Sequence, residues 1–534
     1  MSDENPQNSG PQQILTAPDP NQTKMPGGIK YIVGNELAER FSFYGMKGIL
    51  TIFMTRHLMD ASGAAATLSD NDAKGVYHLF TAGAYFFPLL GAIIADVYWG
   101  KYKTILLISL MYCLGHGMLA LMDVGPATGM WDMAPFLYAG LVLIAIGAGG
   151  IKPCVSAHVG DQFGTGNKHL LTKVFNWFYF SINLGAAASN LLTPILLAKV
   201  GPWAAFGLPG ILMAVATLMF WLGRHTFVHV PPSGWTKFRE ETFSTEGRRA
   251  LANLAPLFLL FVPVFWAIFD QTGSAWVLQS ESMDRNFLGM RWLESQVQLL
   301  NPVFILTLIP IFTYFVYPAM AKFFDPTPLR KIGIGFLLTA AAFAVSGLIE
   351  MAIEGKDTET VASIVSDVSA SLPEMQANMN EEQTQAVNAL IATPPQKVAS
   401  AMKTLRKADW PDEKLGEYVA DMPSIGWQFL AYLLLTAAEV LVSIVCLEFA
   451  YTQSPPRMKS FIMGVYFLGV SFGNFAVSAL NFVLELMKKE DGTTPLDGST
   501  YYWFFVGLML VTLVVYLGFA MRYKGETFIQ GESE

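Results

Sequence analysis

The chain has 534 residues, of which 53% are hydrophobic and only 14% charged. Soluble proteins carry about 25% charged residues, so a water-soluble multidomain architecture is excluded and an all-α polytopic membrane protein is indicated. The net charge of −8 argues against nucleic acid as a partner. Cys113, Cys154 and Cys446 all fall in apolar segments, with no disulfide framework and no metal-ligand spacing, so neither a metal nor another cofactor is expected.

Residues 1–27 are rich in Asn, Gln, Pro, Ser and Gly, with no basic start followed by an apolar stretch. They are expected to be a disordered cytoplasmic tail rather than a signal peptide. Twelve segments are then long and apolar enough to span a bilayer. They lie near 28–57, 74–98, 103–121, 135–155, 171–197, 203–223, 251–276, 298–321, 328–350, 425–452, 457–486 and 500–522. The expected division is a six-helix bundle over 28–223, a cytoplasmic linker over 224–250, and a second six-helix bundle over 251–522. A cytoplasmic tail over 523–534 follows. Residues 351–424 form a polar insert between spans nine and ten, broken at Pro373 and Pro394-Pro395, with helical character over 359–371, 380–392 and 396–407. Lys and Arg concentrate in alternate loops, for example Lys101, Lys103, Arg248, Arg249, Arg330 and Lys331. That bias places both termini in the cytoplasm and the insert outside. A 6+6 arrangement suggests the major facilitator architecture, in which two bundles rock about a central site.

Span one carries Glu36, Glu39, Arg40, Phe43, Tyr44 and Lys47 on one helical face. Charges at membrane depth are costly and face a water-filled path or charged partners. Glu36 and Arg40, at i,i+4, either neutralise one another or belong to a proton-carrying cluster. Span two holds His78, with Tyr85 two turns on. His78 is either a proton relay or a neutral histidine bonded into the packing. The turn after span two, Asp96 through Lys101 and Lys103, reads as a charged latch or as a plain helix stop. In span four, Gly147 and Gly150 allow close helix approach, and Lys152 either snorkels or finds a partner in Glu36 or Glu39.

Span seven has Trp266 and Asp270, and by depth Asp270 suits Lys47. Span ten presents Gln428, Tyr432, Thr436, Glu439 and Ser443 as a polar stripe. Asn183 on span five and Asn301 on span eight are either ligand-binding amides or helix–helix bonds. The first half thus supplies the bases Arg40, Lys47 and Lys152, and the second half the acids Asp270 and Glu439. A cavity positive on one wall and negative on the other suits a zwitterion such as an amino acid or short peptide. Phe43, Tyr44, Tyr85, Trp266, Trp427 and Tyr466 are candidate pocket aromatics.

These same residues resemble the proton-dependent oligopeptide transporter (POT) family. Glu36-Leu-Ala-Glu39-Arg40 matches its E-x-x-E-R motif, and the run from Phe175 to Gly185 looks like its span-five signature. Gly150-Ile-Lys152-Pro153, Phe265-Trp266-Ala-Ile-Phe269-Asp270-Gln271 and Ala438-Glu439-Val440 are similar to the animal peptide transporters. The resemblance implies inward symport of di- and tripeptides with protons through a plasma (inner) membrane, with the lipid bilayer as the other partner. It implies Glu36, Glu39, Arg40, Lys152 and His78 in proton coupling, and Lys47 with Asp270 as an outer gate. It further implies that Arg40, Lys47 and Lys152 attract the peptide carboxylate while Asn183, Asn301 and Glu439 hold its amino end. Tyr44, Tyr85, Trp266 and Ser443 complete the pocket.

Lys47 stands where many members have arginine, Phe43 where many have tyrosine, and Tyr466 where many have tryptophan. These departures bear on selectivity. The alternatives are a carrier of nitrate or another small anion, which Asp270 and Glu439 disfavour, and a peptide sensor without turnover. No Walker A run, no HExxH and no Ser/His/Asp grouping is present, so an enzyme is not expected.

Overall fold

The computed structural model describes residues 15–454, 459–490 and 492–523. Among them, eleven helical segments are long and apolar enough to cross a membrane. They are α2 (Asp70–Trp99), α3 (Lys101–Leu121), α4 (Met133–Asp161), α5 (Lys168–Lys199), α6 (Pro202–His225), α7 (Thr245–Ser282), α8 (Glu294–Ala321), α9 (Pro328–Met375), α10 (Gly426–Ala450), α11 (Phe461–Leu486) and α12 (Ser499–Arg522). The twelfth long helix, α1 (Ile29–Arg56), precedes them. Lys30, Glu36, Glu39, Arg40, Lys47 and Arg56 set it apart from the others. The end of the molecule where α1 finishes is called distal below, and the end where α1 begins is called proximal.

The helices form two bundles with separate apolar cores. Phe43, Tyr112, Leu141 and Phe206 belong to the core built by α1–α6. Phe265, Phe336, Tyr432 and Tyr516 belong to the core of α7–α12. Burial from water adds little between helices in lipid, so close approach matters more. A Cβ on Gly91 of α2 would collide with the Gly150 carbonyl of α4, and one on Gly473 of α11 with the Pro263 carbonyl of α7. Glycine at these positions lets the backbones touch. Between the bundles α2 lies along α11, where Ser471 Oγ donates to the Ala82 carbonyl and Ser478 Oγ to the Gly75 carbonyl, both at 2.8 Å. Four helices widen into π segments, at Ile94–Trp99, Leu257–Phe261, Phe312–Val316 and Val440–Ile444. The last begins directly after Glu439 and contains Ser443, at a position where such irregularities commonly serve function.

Several elements differ from the sequence reading. Span nine does not stop near residue 350; α9 continues through Pro373 to Met375. Pro373 removes one i→i−4 bond, but only in the last turn, and the Gln376 amide still closes onto the Leu372 carbonyl. The insert also contains helices Glu381–Ala392, Val398–Lys407 and Asp412–Tyr418, the last not anticipated. Residues 15–27 were expected to be disordered, yet Leu15 pairs with Val228 and Asn167 Nδ2 donates to the Lys24 carbonyl. Backbone groups of the tail find partners on the proximal face of the first bundle, and composition does not report that. Residues 1–14 and 524–534 lie outside the described residues. The linker contains a short helix, Trp235–Thr242, and Ser244 then caps α7 by accepting from the Gly247 amide. A small hairpin, Asn286–Phe287 with Met290–Arg291, turns through Leu288 and Gly289, both at positive φ.

Candidate functional site

The face of α1 that carries the charges points inward. Glu36, Glu39, Arg40 and Lys47 are all buried. Arg40 Nε lies 2.8 Å from Glu36 Oε1 and 2.8 Å from Glu39 Oε2, so one guanidinium serves two carboxylates of its own helix. Helical spacing alone brings Glu36 and Arg40 together. Beyond that ion pair neither Glu39 oxygen has a well-formed hydrogen bond, although the Tyr112 hydroxyl lies within reach of it. Protonating Glu39 therefore gives up one arm of the Arg40 bridge.

About 10 Å further along α1, at 1.5 Å per residue, lies the second charged centre. Lys47 Nζ meets Asp270 Oδ1 of α7 at 2.8 Å, both side chains buried, and the ammonium also sits 5.0 Å from the Tyr77 ring. Asp270 Oδ2 accepts from Asn474 Nδ2 of α11 at 2.8 Å. Asn474 Oδ1 is 2.8 Å from His78 Nδ1, and His78 Nε2 is 2.9 Å from Ser274 Oγ. The donors and acceptors order themselves. Asn474 uses its amide nitrogen on the aspartate, so its oxygen must accept from His78 Nδ1–H. In neutral His78 the other nitrogen, Nε2, accepts the Ser274 hydroxyl. The result is a continuous chain, Lys47–Asp270–Asn474–His78–Ser274, that crosses between the bundles three times.

The distal mouth is closed around this chain. Thr51 Oγ1 donates to the Gly273 carbonyl at 2.7 Å, Gln298 Nε2 to Gly48 at 2.8 Å, and Gln296 Nε2 to Leu191 at 3.2 Å. A second group of site residues keeps part of its surface accessible: Tyr44, Tyr85, Lys152, Asn301, Glu439 and Ser443. Asn301 Nδ2 donates to Glu439 Oε2 at 2.7 Å and contacts Thr436 Oγ1 at 3.3 Å. Ser443 Oγ is 3.4 Å from the Tyr466 hydroxyl. Trp266, buried, stacks near Tyr85 with ring centroids 6.3 Å apart. Tyr44 lies within electrostatic range of Arg40, Lys47, Glu39 and Glu439, so the stripe of α1 faces that of α10.

Three expected placements change. Lys152 makes no ion pair with Glu36 or Glu39. Its Nζ lies instead 4.0 Å from the Tyr85 ring and 5.0 Å from the Phe43 ring, a cation held over aromatic faces. Asn183 donates to the Tyr179 carbonyl of its own helix at 3.0 Å. Trp427 is exposed, outside the pocket, because it sits in the first turn of α10 on the face away from Gln428. Sequence reasoning missed Asn474 and Ser274. Their only signal was a polar residue in an apolar helix, shared with many residues that merely bond helices together.

The central run matches the family described as the POT family, over residues 102–245, 235–397 and 390–504. The chain is 31% identical to "Peptide transporter family 1" of Drosophila melanogaster, over 93% of this chain and 88% of that protein. It is 37% identical to "Peptide transporter 3" of Caenorhabditis elegans, over 61% of this chain and 51% of the relative. It is 35% identical to human "Solute carrier family 15 member 2", over 61% and 49%. These last two matches span about half the relative's length. Among solved structures, an auto inhibited POT family peptide transporter superposes with a TM-score of 0.70 at 29% identity, over 95% of this chain and 99% of that one. The POT family transporter PepTSo gives 0.69 at 30%, over 94% and 99%. The chain therefore belongs to the POT family and has the major facilitator fold of two six-helix bundles.

Proposed function

We propose that this chain is a symporter that carries di- and tripeptides together with protons by alternating access. The observation that carries the reading is the opposition of charge between partly exposed residues of the two bundles. Lys152, with Arg40 nearby, stands on the first bundle, and Glu439, held by Asn301, on the second. A peptide backbone with separated ammonium and carboxylate ends matches that polarity. The aromatic faces of Tyr85 and Trp266 lie alongside for side chains. The names of the relatives, peptide transporters, support the same substrate class.

The distal side is then the outside, and both termini lie in the cytoplasm of a plasma (inner) membrane. Outward opening separates Lys47 from Asp270, each charge passing from its partner to water, so the pair biases an equilibrium without locking it. The proton is carried by Glu39, which holds Arg40 through one oxygen only, and by His78, whose Nε2 can take a proton if the Ser274 hydroxyl turns round. Glu36 and Arg40 hold Glu39 in place, and Glu439 with Asn301 receives the peptide ammonium. Tyr44 and Ser443 stand beside these groups on α1 and α10.

The test is uptake into proteoliposomes under an imposed inward proton gradient, with a dipeptide, a tripeptide, a free amino acid and nitrate. Gradient-driven accumulation of the two peptides is expected. Accumulation of nitrate instead would establish an anion carrier, and binding without flux a sensor. Glu439→Gln should weaken ordinary dipeptides about ten- to a hundredfold, the worth of a buried charge-assisted hydrogen bond. N-acetylated dipeptides should lose far less. Equal losses would remove Glu439 from the ammonium site.

A further inference from the structure

The insert between α9 and α10 covers the distal mouth, and its two sides are held differently. Toward the second bundle it is fixed by apolar packing. Ile349, Ile353, Met402, Leu405 and Trp410 pack in one cluster with Met283. Arg291 also donates to the Asp412 carbonyl at 3.0 Å, and Lys397 pairs with Asp497 at 2.7 Å. Toward the first bundle the contact is ionic and loose: Lys403 lies 3.5 Å from Asp70 of α2, with both side chains substantially exposed. A cavity of about 1390 Å³ lies between insert and bundles, with walls from all three.

Five charges meet beside this cavity, three of them buried and two, Arg56 and Arg406, partly buried. Arg56 from the end of α1 lies 2.8 Å from Glu281 and 2.9 Å from Glu294. Arg285 lies 2.5 Å from Glu294. Arg406, on the insert helix Val398–Lys407, lies 3.4 Å from Glu281 and 3.2 Å from Glu294. Three guanidinium groups therefore share two carboxylates. Arg56 comes from the first bundle, and the other four come from the second bundle or from the insert fixed to it. Arg56 and Arg406 share Glu294 Oε1, take opposite oxygens of Glu281, and repel one another. Burial, and next to it Arg56, hold the Arg406 guanidinium down to about 10, so it remains charged at neutral pH.

The charge balance changes when the mouth opens. Arg56 leaves with α1. Glu281 and Glu294 then keep Arg285 and Arg406, two cations for two anions. Without Arg406, the same motion would leave two carboxylates with one cation in a largely buried place, which is strongly unfavourable. We propose that Arg406 is a substitute partner, held ready by the insert, that takes over Glu281 and Glu294 from Arg56 and so favours opening of the distal mouth. This rests on the reading of the two bundles as moving parts of a transporter. Arg406 is a positioning residue for the gate and touches no substrate. Its effect has the opposite sign to that of Arg56, although both make ion pairs with the same glutamates.

The experiment is pulsed electron paramagnetic resonance on the full chain in lipid nanodiscs, with spin labels at the distal ends of α1 and α7 and no peptide present. Arg56→Gln should raise the long-distance, open population. Arg406→Gln should lower it, by about three- to tenfold, within the range of measured coupling between contacting charged residues. Arg406→Lys, which keeps the charge, should restore most of it. In Arg56→Gln the further change Arg406→Gln should have little effect, because the competitor is gone. If Arg406→Gln fails to fold, Arg406→Met removes the charge while keeping apolar packing, and the same decrease is expected. An increase in the open population would make Arg406 a clasp and overturn the proposal. So would an unchanged distribution, or an equal effect with and without Arg56. The measurement uses no peptide, so an error in the substrate class would leave its outcome standing and would show only in the uptake assay.

Discussion

The two charged centres of α1 are built in opposite ways. Glu36, Glu39 and Arg40 pair within one helix. Lys47 pairs across the bundles with Asp270, and through Asn474 and His78 the link returns to the first bundle. A bundle that moves as a body carries the first centre intact from one state to the other, since its members travel together. The second centre cannot survive separation of the bundles at that depth. An intrahelical cluster thus suits carrying a proton through the whole cycle, and a cross-bundle chain suits reporting which state the molecule is in. The insert shows a related contrast at its own edge: an apolar cluster anchors it on the second bundle, whereas Lys403–Asp70 toward the first bundle is an exposed ion pair.

The comparison can be broken most decisively at Glu39. Glu39→Gln removes a titratable group without separating the bundles. Proton-driven accumulation of dipeptide in proteoliposomes should be lost, while exchange of peptide for peptide persists and the distal distance distribution stays as in the parent. Accumulation equal to the parent would mean that the intrahelical centre carries no proton.

The cross-bundle centre should behave in reverse. Asp270→Asn leaves the Lys47 ammonium buried without its anion. Breaking such a pair costs about 3–5 kcal/mol, so the closed distal mouth should give way to the open one in the same spin-label measurement. Exchanging the two charges, Lys47→Asp with Asp270→Lys, should recover part of the closure. No recovery would show that surroundings built around each charge, and not the pair itself, hold the mouth.

A smaller effect is expected one link along the chain. Asn474→Ala takes a hydrogen bond from Asp270 and leaves His78 Nδ1 without its acceptor, at a cost of about 1–3 kcal/mol. With His78 cut from the chain, transport should then become less sensitive to external pH. A pH profile identical to the parent's would disconnect His78 from the gate.

The smallest effect should come from the ionic edge of the insert. Lys403 and Asp70 are both well exposed, and exposed pairs contribute about 0–1 kcal/mol. Lys403→Gln should change initial uptake rates by less than about threefold. A larger change would place the contact of the insert with the first bundle in Lys403 rather than in the shared glutamates.

Periodicity and charge determined much of this protein without tertiary information. Apolar length marks the spanning helices because backbone polar groups must be satisfied internally in lipid. The stripe on α1 and its Glu36–Arg40 pair follow from 3.6 residues per turn, which is a local rule. Pairing Lys47 with Asp270 by depth was also legible, because few ionisable residues sit at that level of an apolar chain. Tertiary structure alone decided the rest. Lys152 rests on Tyr85 of α2 and Phe43 of α1, and only the packing of α4 against those helices shows which partner is nearer. Asn474 and Ser274 became visible as links because α11 and α7 bring them to His78, while in the sequence they are single polar residues in apolar runs. Arg406 lies 125 residues from Glu281, and no local pattern announces that it shares that carboxylate with Arg56. Pairings inside one helix are fixed by its pitch, whereas pairings between bodies depend on how the bodies dock, and docking is set by the whole surface of both.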